Sequence, residues 1–165
     1  MIKAIPLQAL LVVLLLLQSC SGNGFHLRNT QELPKQYQQI QVVNISNDNG
    51  FTDALQAAIE ESGGRLEDKA ETKISINNFR EGKRVVAYDK DRKARIYLLF
   101  LKFEYQILDT QNNLKLQKRR INLDRTFVYD ANFALGKAEE ENQIRHELYA
   151  EAARLILLRL KHSKK

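Results

Sequence analysis

The chain has 165 residues, enough for one domain and a poor fit to two. With 44% hydrophobic and 28% charged residues it is globular in composition, which excludes a disordered tail protein, and a core of this size needs neither metal nor disulfide. The formal net charge is +6, which directs attention to anionic partners or surfaces, and a lone cysteine excludes an intramolecular disulfide.

Residues 1–19 form a leader. Lys3 supplies a positive start, and Ala9 to Leu17 is an unbroken apolar run. A span needs ~20 such residues, so this run suits a cleavable signal peptide instead. Leu17-Gln18-Ser19-Cys20 follows and resembles the lipobox of bacterial lipoproteins. Gln18 departs from the usual small or apolar residue. The resemblance makes Cys20 the thiol that takes lipid, and each buried methylene then adds ~0.8 kcal/mol to anchoring. Ser21 stands where an aspartate would favour inner-membrane retention, so outer-membrane sorting is expected.

Residues 20–38 read as a tether, rich in Ser, Gly, Asn and Gln, interrupted by one short ordered segment at Gly24-Phe25-His26-Leu27-Arg28. A single folded domain is expected over 39–163. Gln39 to Ser46 is a strand by its β-branched content. Asn47-Asp48-Asn49-Gly50 turns the chain into a helix carrying Phe51, Leu55, Ala58 and Ile59 on one face, ended by Gly63-Gly64. Lys73 to Phe79 begins a strand that continues, bent near Gly82, to Tyr88. Asp89-Lys90-Asp91-Arg92 is a hairpin tip.

Arg95 to Leu108 is a long strand with Tyr97, Leu99, Leu101, Phe103, Tyr105 and Ile107 on one face. Its other face begins apolar with Ile96, Leu98 and Phe100, then turns polar. That end of the strand is either buried on both sides or meets a partner. Asp109 to Asn113 turns the chain into a returning strand, Leu114 to Val128. A long helix starting near Asn132 carries Ile144, Leu148, Ala152, Leu155 and Ile156 inward. The order β-α-β-β-β-α specifies an α+β two-layer sandwich, with two helices on one mostly antiparallel four-stranded sheet.

No catalytic constellation stands out. His26, His146 and His162 lack metal-ligand spacing, and Asp109 and Asp124 have no partner for acid–base work. A non-enzyme without cofactor or metal is expected. Lys83, Arg84, Lys90, Arg92, Lys93 and Arg95 crowd one hairpin, and Lys115, Lys118, Arg119 and Arg120 lie on the next strand. Hairpin pairing can join parts of these sets at one sheet edge. Such a cluster suits phosphate; equally, it suits a solvated face whose lysines guard the edge. An exported chain has little access to nucleic acid.

Three segments in order resemble the lipopolysaccharide-assembly lipoproteins (LptE, rare lipoprotein B). They are Gly24-Phe25-His26-Leu27-Arg28 behind the lipobox, Tyr129-Asp130-Ala131-Asn132-Phe133-Ala134-Leu135-Gly136-Lys137-Ala138-Glu139, and Glu147 to Ile156. An extra Ser-Gly-Asn after Cys20 and a short C-terminal tail depart from the family pattern. The resemblance implies a lipid-anchored outer-membrane protein that plugs and helps assemble the barrel of LptD and binds lipopolysaccharide (LPS). It also implies basic contacts for LPS at a hairpin and before the last helix. Lys137 matches the second by motif. Lys90, Arg92 and Lys93 lie beside Asp89, which occupies the aligned hairpin position. Outside that family, an adaptor lipoprotein binding another membrane protein or an anionic polymer would share the same features.

Overall fold

The computed structural model describes residues 32–45 and 50–163. The leader, Cys20, the Gly24–Arg28 segment and the turn at Asn47-Asp48-Asn49 lie outside them.

The chain enters through a 3-10 turn, Lys35–Tyr37, then strand β1 (Gln39–Val43), helix α1 (Gly50–Glu61) and a two-residue strand β2 (Arg65–Leu66). Strands β3 (Thr72–Tyr88), β4 (Ala94–Leu108) and β5 (Leu114–Val128) follow as a meander. A second 3-10 turn, Ala131–Phe133, opens into helix α2 (Ala134–His162). The sheet order is β2-β1-β3-β4-β5, with β1 parallel to both β2 and β3 and the remaining pairs antiparallel. The α+β sandwich is as expected, but the sheet has five strands and is mixed. Strand β2 escapes sequence reading because two residues cannot display a period of two.

Both helices pack on one face of the sheet. The apolar side of α1 (Phe51, Leu55, Ile59) meets Leu99, Leu101, Phe103, Tyr105 and Ile107 of β4 in one buried cluster. Helix α2 adds Leu148, Tyr149, Ala152, Ala153, Ile156, Leu157 and Leu160. Helix α1 stops where Gly63 takes a φ of +76° and its N–H bonds the Glu60 carbonyl at 3.0 Å. Leu33 and Tyr37 are also buried in this core, so the packed domain includes residues that precede Gln39.

Strand β3 bends at Asn78, not at Gly82. Between the pairs Asn77↔Glu104 and Arg80↔Lys102 the strand carries one extra residue, and Asn78 has a φ of 55°. This bulge turns Phe79 inward, where its ring lies 5.7 Å from both Phe51 and Phe103. It also exchanges the faces of the strand from Phe79 to Val85, after which a second irregularity intervenes. Glu81 and Lys83 therefore point at α2, and Gly82 and Arg84 lie on the opposite face. Gly82 sits beneath the ring of Phe100, where an added Cβ would come within 2.9 Å of Cζ.

Candidate functional site

The two ends of the sheet differ. Tyr88, the end of β3, pairs with Ala94, the start of β4, and Ile96 pairs with Val128, so the 89–93 hairpin and the entry to α2 share one end. Lys115, Lys118, Arg119 and Arg120 lie at the other. Arg120 pairs with Glu104, ten residues along β4 from Ala94, which is about 33 Å at strand rise. The two basic sets are thus separated rather than gathered on one edge, because an antiparallel return places the start of β5 beside the end of β4.

Two members of the distal set share one carboxylate. Lys118 and Arg120 reach the Glu104 carboxylate at 2.6 and 2.9 Å, and Asn78 donates to it at 3.1 Å. Hydrogen bonds from Lys118 first, then Arg120, hold the Glu104 pKa at about 2. A carboxyl group depressed in the folded state stabilises the fold above its unfolded pKa and loses that contribution as pH falls towards the folded value. Wild-type protein should therefore be more resistant to urea than Glu104→Gln at pH 7, with the gap closing between about pH 4.5 and 2. Parallel unfolding midpoints at pH 7, 4 and 2.5 check this; a gap independent of pH would remove Glu104 from the linkage.

The hairpin is built differently. The carboxylate of Asp89 accepts the backbone N–H groups of Asp91 and Lys93 at 2.8 and 2.9 Å, which braces the loop. The turn at 109–113 repeats this construction with Asp109, and its left-handed position is Asn112. At the hairpin that position is Arg92, with φ of 61°. Asparagine tolerates this conformation well and arginine does not, so the loop holds a cation at its tip at a conformational cost. Among the described residues, Lys90, Arg92 and Lys93 pair with no carboxylate.

Beside the hairpin lies a cleft of about 530 Å³, bounded by Lys93, Arg95, Tyr97, Tyr129 and Asp130. Asn132, on its margin, belongs to the turn that leads into α2, so Lys137 follows about one helical turn later. Lys137 is mostly buried and paired with Glu140 at 2.5 Å, unlike the three hairpin cations. Exposed apolar side chains also gather at this end: Val86, Tyr88, Val128, Phe133 and Leu135. The sequence offered no signal for them, since each belongs to a segment whose neighbours read as strand or helix.

Between the cleft and the core, charge attaches α2 to β3. Lys83 meets Glu141 at 2.5 Å, Arg145 bonds the same carboxylate at 3.1 Å, and the Tyr149 hydroxyl donates to Glu81. Burial, with that bond to Glu81, pushes Tyr149 up to about 12. Lys83 is therefore a structural residue rather than part of the hairpin cluster. Among the described residues, no three His, Cys, Asp or Glu side chains gather to hold a metal.

Two helices on one face of a mixed sheet, with unpaired cations and apolar side chains at one end, define a small α+β domain. Solved bacterial lipoproteins share this fold. They include lipoprotein B of Nitrosomonas europaea (TM-score 0.66, 21% identity, 84% of this chain and 90% of that one). Rare lipoprotein B of Shewanella oneidensis gives a TM-score of 0.58 at 15% identity over 74% of this chain and 89% of that one. Residues 37–160 match the model of LptE, lipopolysaccharide-assembly, and the chain belongs to that family. The LPS-assembly lipoprotein LptE of Pectobacterium atrosepticum is 28% identical over 146 residues, covering 85% of this chain and 77% of that protein.

Proposed function

We propose that this protein is an outer-membrane lipoprotein of the LPS transport machinery, anchored through lipid on Cys20. It acts without catalysis as plug and assembly subunit of an LptD-type barrel, and binds LPS through Lys90, Arg92, Lys93 and Lys137. Family membership supports the assembly role. The observation that carries the binding site is the hairpin, where an Asp89-braced loop presents three cations that form no ion pair with a carboxylate among the described residues and holds Arg92 in a left-handed backbone. LPS bears phosphates and acidic sugars, and lysine and arginine meet such groups by charge-assisted hydrogen bonds.

Reversing Lys90, Arg92 and Lys93 to glutamate in the full chain should weaken LPS binding about 10- to 100-fold, taking each exposed charge at ~0.5–1 kcal/mol. The loss should shrink as salt rises. Melting should stay nearly unchanged, because exposed substitutions cost little. Lys137→Asp should also weaken binding. It loses the Glu140 pair but gains from an acidic residue in the first turn, so its effect on folding is small. Titration of the variants against LPS at low and high salt decides the matter. If both the triple reversal and Lys137→Asp bind as wild type does, the cationic end is not the LPS site. Affinity capture from solubilised outer membranes tests the barrel partnership separately: recovery of no large β-barrel protein would count against it.

A further inference from the structure

The helices leave the other face of the sheet open, and its chemistry is uneven. Around Glu104 the charges are satisfied within the face, by Lys118 and Arg120. Towards the hairpin the face becomes an apolar strip of Ile96, Leu98 and Phe100 on β4, flanked by Val128 opposite Ile96 and by Gly82 opposite Phe100. The β4 residues are half-buried and Val128 is exposed, with no element of the described chain over them. The ring of Phe100 reaches over Gly82, into space that a Cβ there would fill. The sequence pattern left two explanations for this apolar half of β4, and among the described residues the helices cover only its other side.

The same strip is bordered by Arg80, Arg84 and Lys102, of which Arg84 sits opposite Leu98 and Lys102 lies 5.5 Å over the Phe100 ring. Among the described residues none of these three cations pairs with a carboxylate; Asp124, opposite Phe100, is the acid on the strip. Val128 also lines the hairpin cleft.

We propose that this strip seats acyl chains of an LPS molecule, with Arg80, Arg84 and Lys102 meeting its phosphates. The inference rests on the LPS-binding reading above and extends it from the hairpin to an acyl-bearing surface. Charge and shape both select an acylated, phosphorylated ligand. From Ile96 to Phe100 the strip runs about 13 Å, and three strands span about 10 Å. An amphiphile needs only a narrow apolar bed with cations beside it. Apolar patches of this kind, rimmed by charge, are where soluble domains meet ligands or membranes.

The test compares intact LPS with its fully deacylated, still phosphorylated saccharide as ligands for the full chain. The double variant Leu98→Thr/Phe100→Thr keeps strand propensity and removes the apolar bed. It should lose about tenfold in affinity for intact LPS and bind the deacylated saccharide as the wild type does. The hairpin reversal, in contrast, should weaken both ligands. Arg84→Gln/Lys102→Gln, at exposed positions that tolerate change, should also weaken intact LPS and decides the question if the double variant does not fold. Wild-type affinity for intact LPS in the folded variants overturns the proposal, as does an equal loss for both ligands in Leu98→Thr/Phe100→Thr; the charge variant, which removes phosphate contacts, should weaken both. Retained LPS affinity with loss of the captured barrel would instead make this face a protein contact. If wild-type protein binds neither ligand, the LPS-binding reading itself fails, and this inference with it.

Discussion

Phe103→Ala is expected to destabilise the domain by about 3–5 kcal/mol, the usual cost of deleting a buried phenyl ring. Phe103 is 1% exposed and stands where the layers meet. Its ring is 4.9 Å from Phe51 on α1 and 5.7 Å from Phe79 at the β3 bulge. Removal leaves a cavity bounded by two other rings and takes from α1 its main contact with β4. Domains are stable by only ~5–15 kcal/mol, so the loss is a large part of the whole and should lower the melting temperature by on the order of 10–20 °C. Phe100→Ala provides the internal control. It is on the same strand but on the open face, half-buried, and should cost ~1 kcal/mol or less. Urea titrations followed by circular dichroism test the pair. Equal midpoints for the two variants would contradict the assigned faces of β4.

Cys20→Ala is expected to abolish lipid attachment altogether. The expectation rests on Leu17-Gln18-Ser19-Cys20 behind an apolar run too short to span a bilayer. Without a thiol at this position no acyl group can be transferred, and the ~0.8 kcal/mol per buried methylene that holds the protein to the membrane is absent. Cells fed labelled palmitate should mark the wild type and leave the variant blank, with the variant accumulating as uncleaved precursor. Equal labelling of both would end the assignment. Because the substituted residue precedes the core, variant protein that is recovered should melt as the wild type does.

Much of the architecture was legible because its signals are local. The alternation from Tyr97 to Ile107 specified the inner face of β4, which is buried from Leu99 to Ile107 and partly so at Tyr97. The spacing of Phe51, Leu55 and Ile59 specified the inner side of α1, and Leu148, Ala152 and Ile156 did the same for α2. Asp89 and Asp109 marked both turns, because an aspartate can accept the backbone N–H groups that a tight loop leaves unpaired. Strand β2 was hidden by its length, and Leu33 and Tyr37 by polar neighbours that made their segment resemble a tether.

By itself the sequence determined the class of fold, the two turns, the two helix faces and the segments that resemble the LPS-assembly family. These follow from short-range periodicity and from residue types matched to local geometry. Only the tertiary structure decided which cations belong together. Strict alternation from Ile74 would carry Arg84 to the helices, but the single extra residue at Asn78 sends Lys83 there instead, into a pair with Glu141. The antiparallel return of β5 commits Lys118 and Arg120 to Glu104, far from the hairpin. A face is inherited along a strand from every residue before it, and a charge is paired by whatever lies across space, so one bulge and one strand direction separate the unpaired cations from the structural ones.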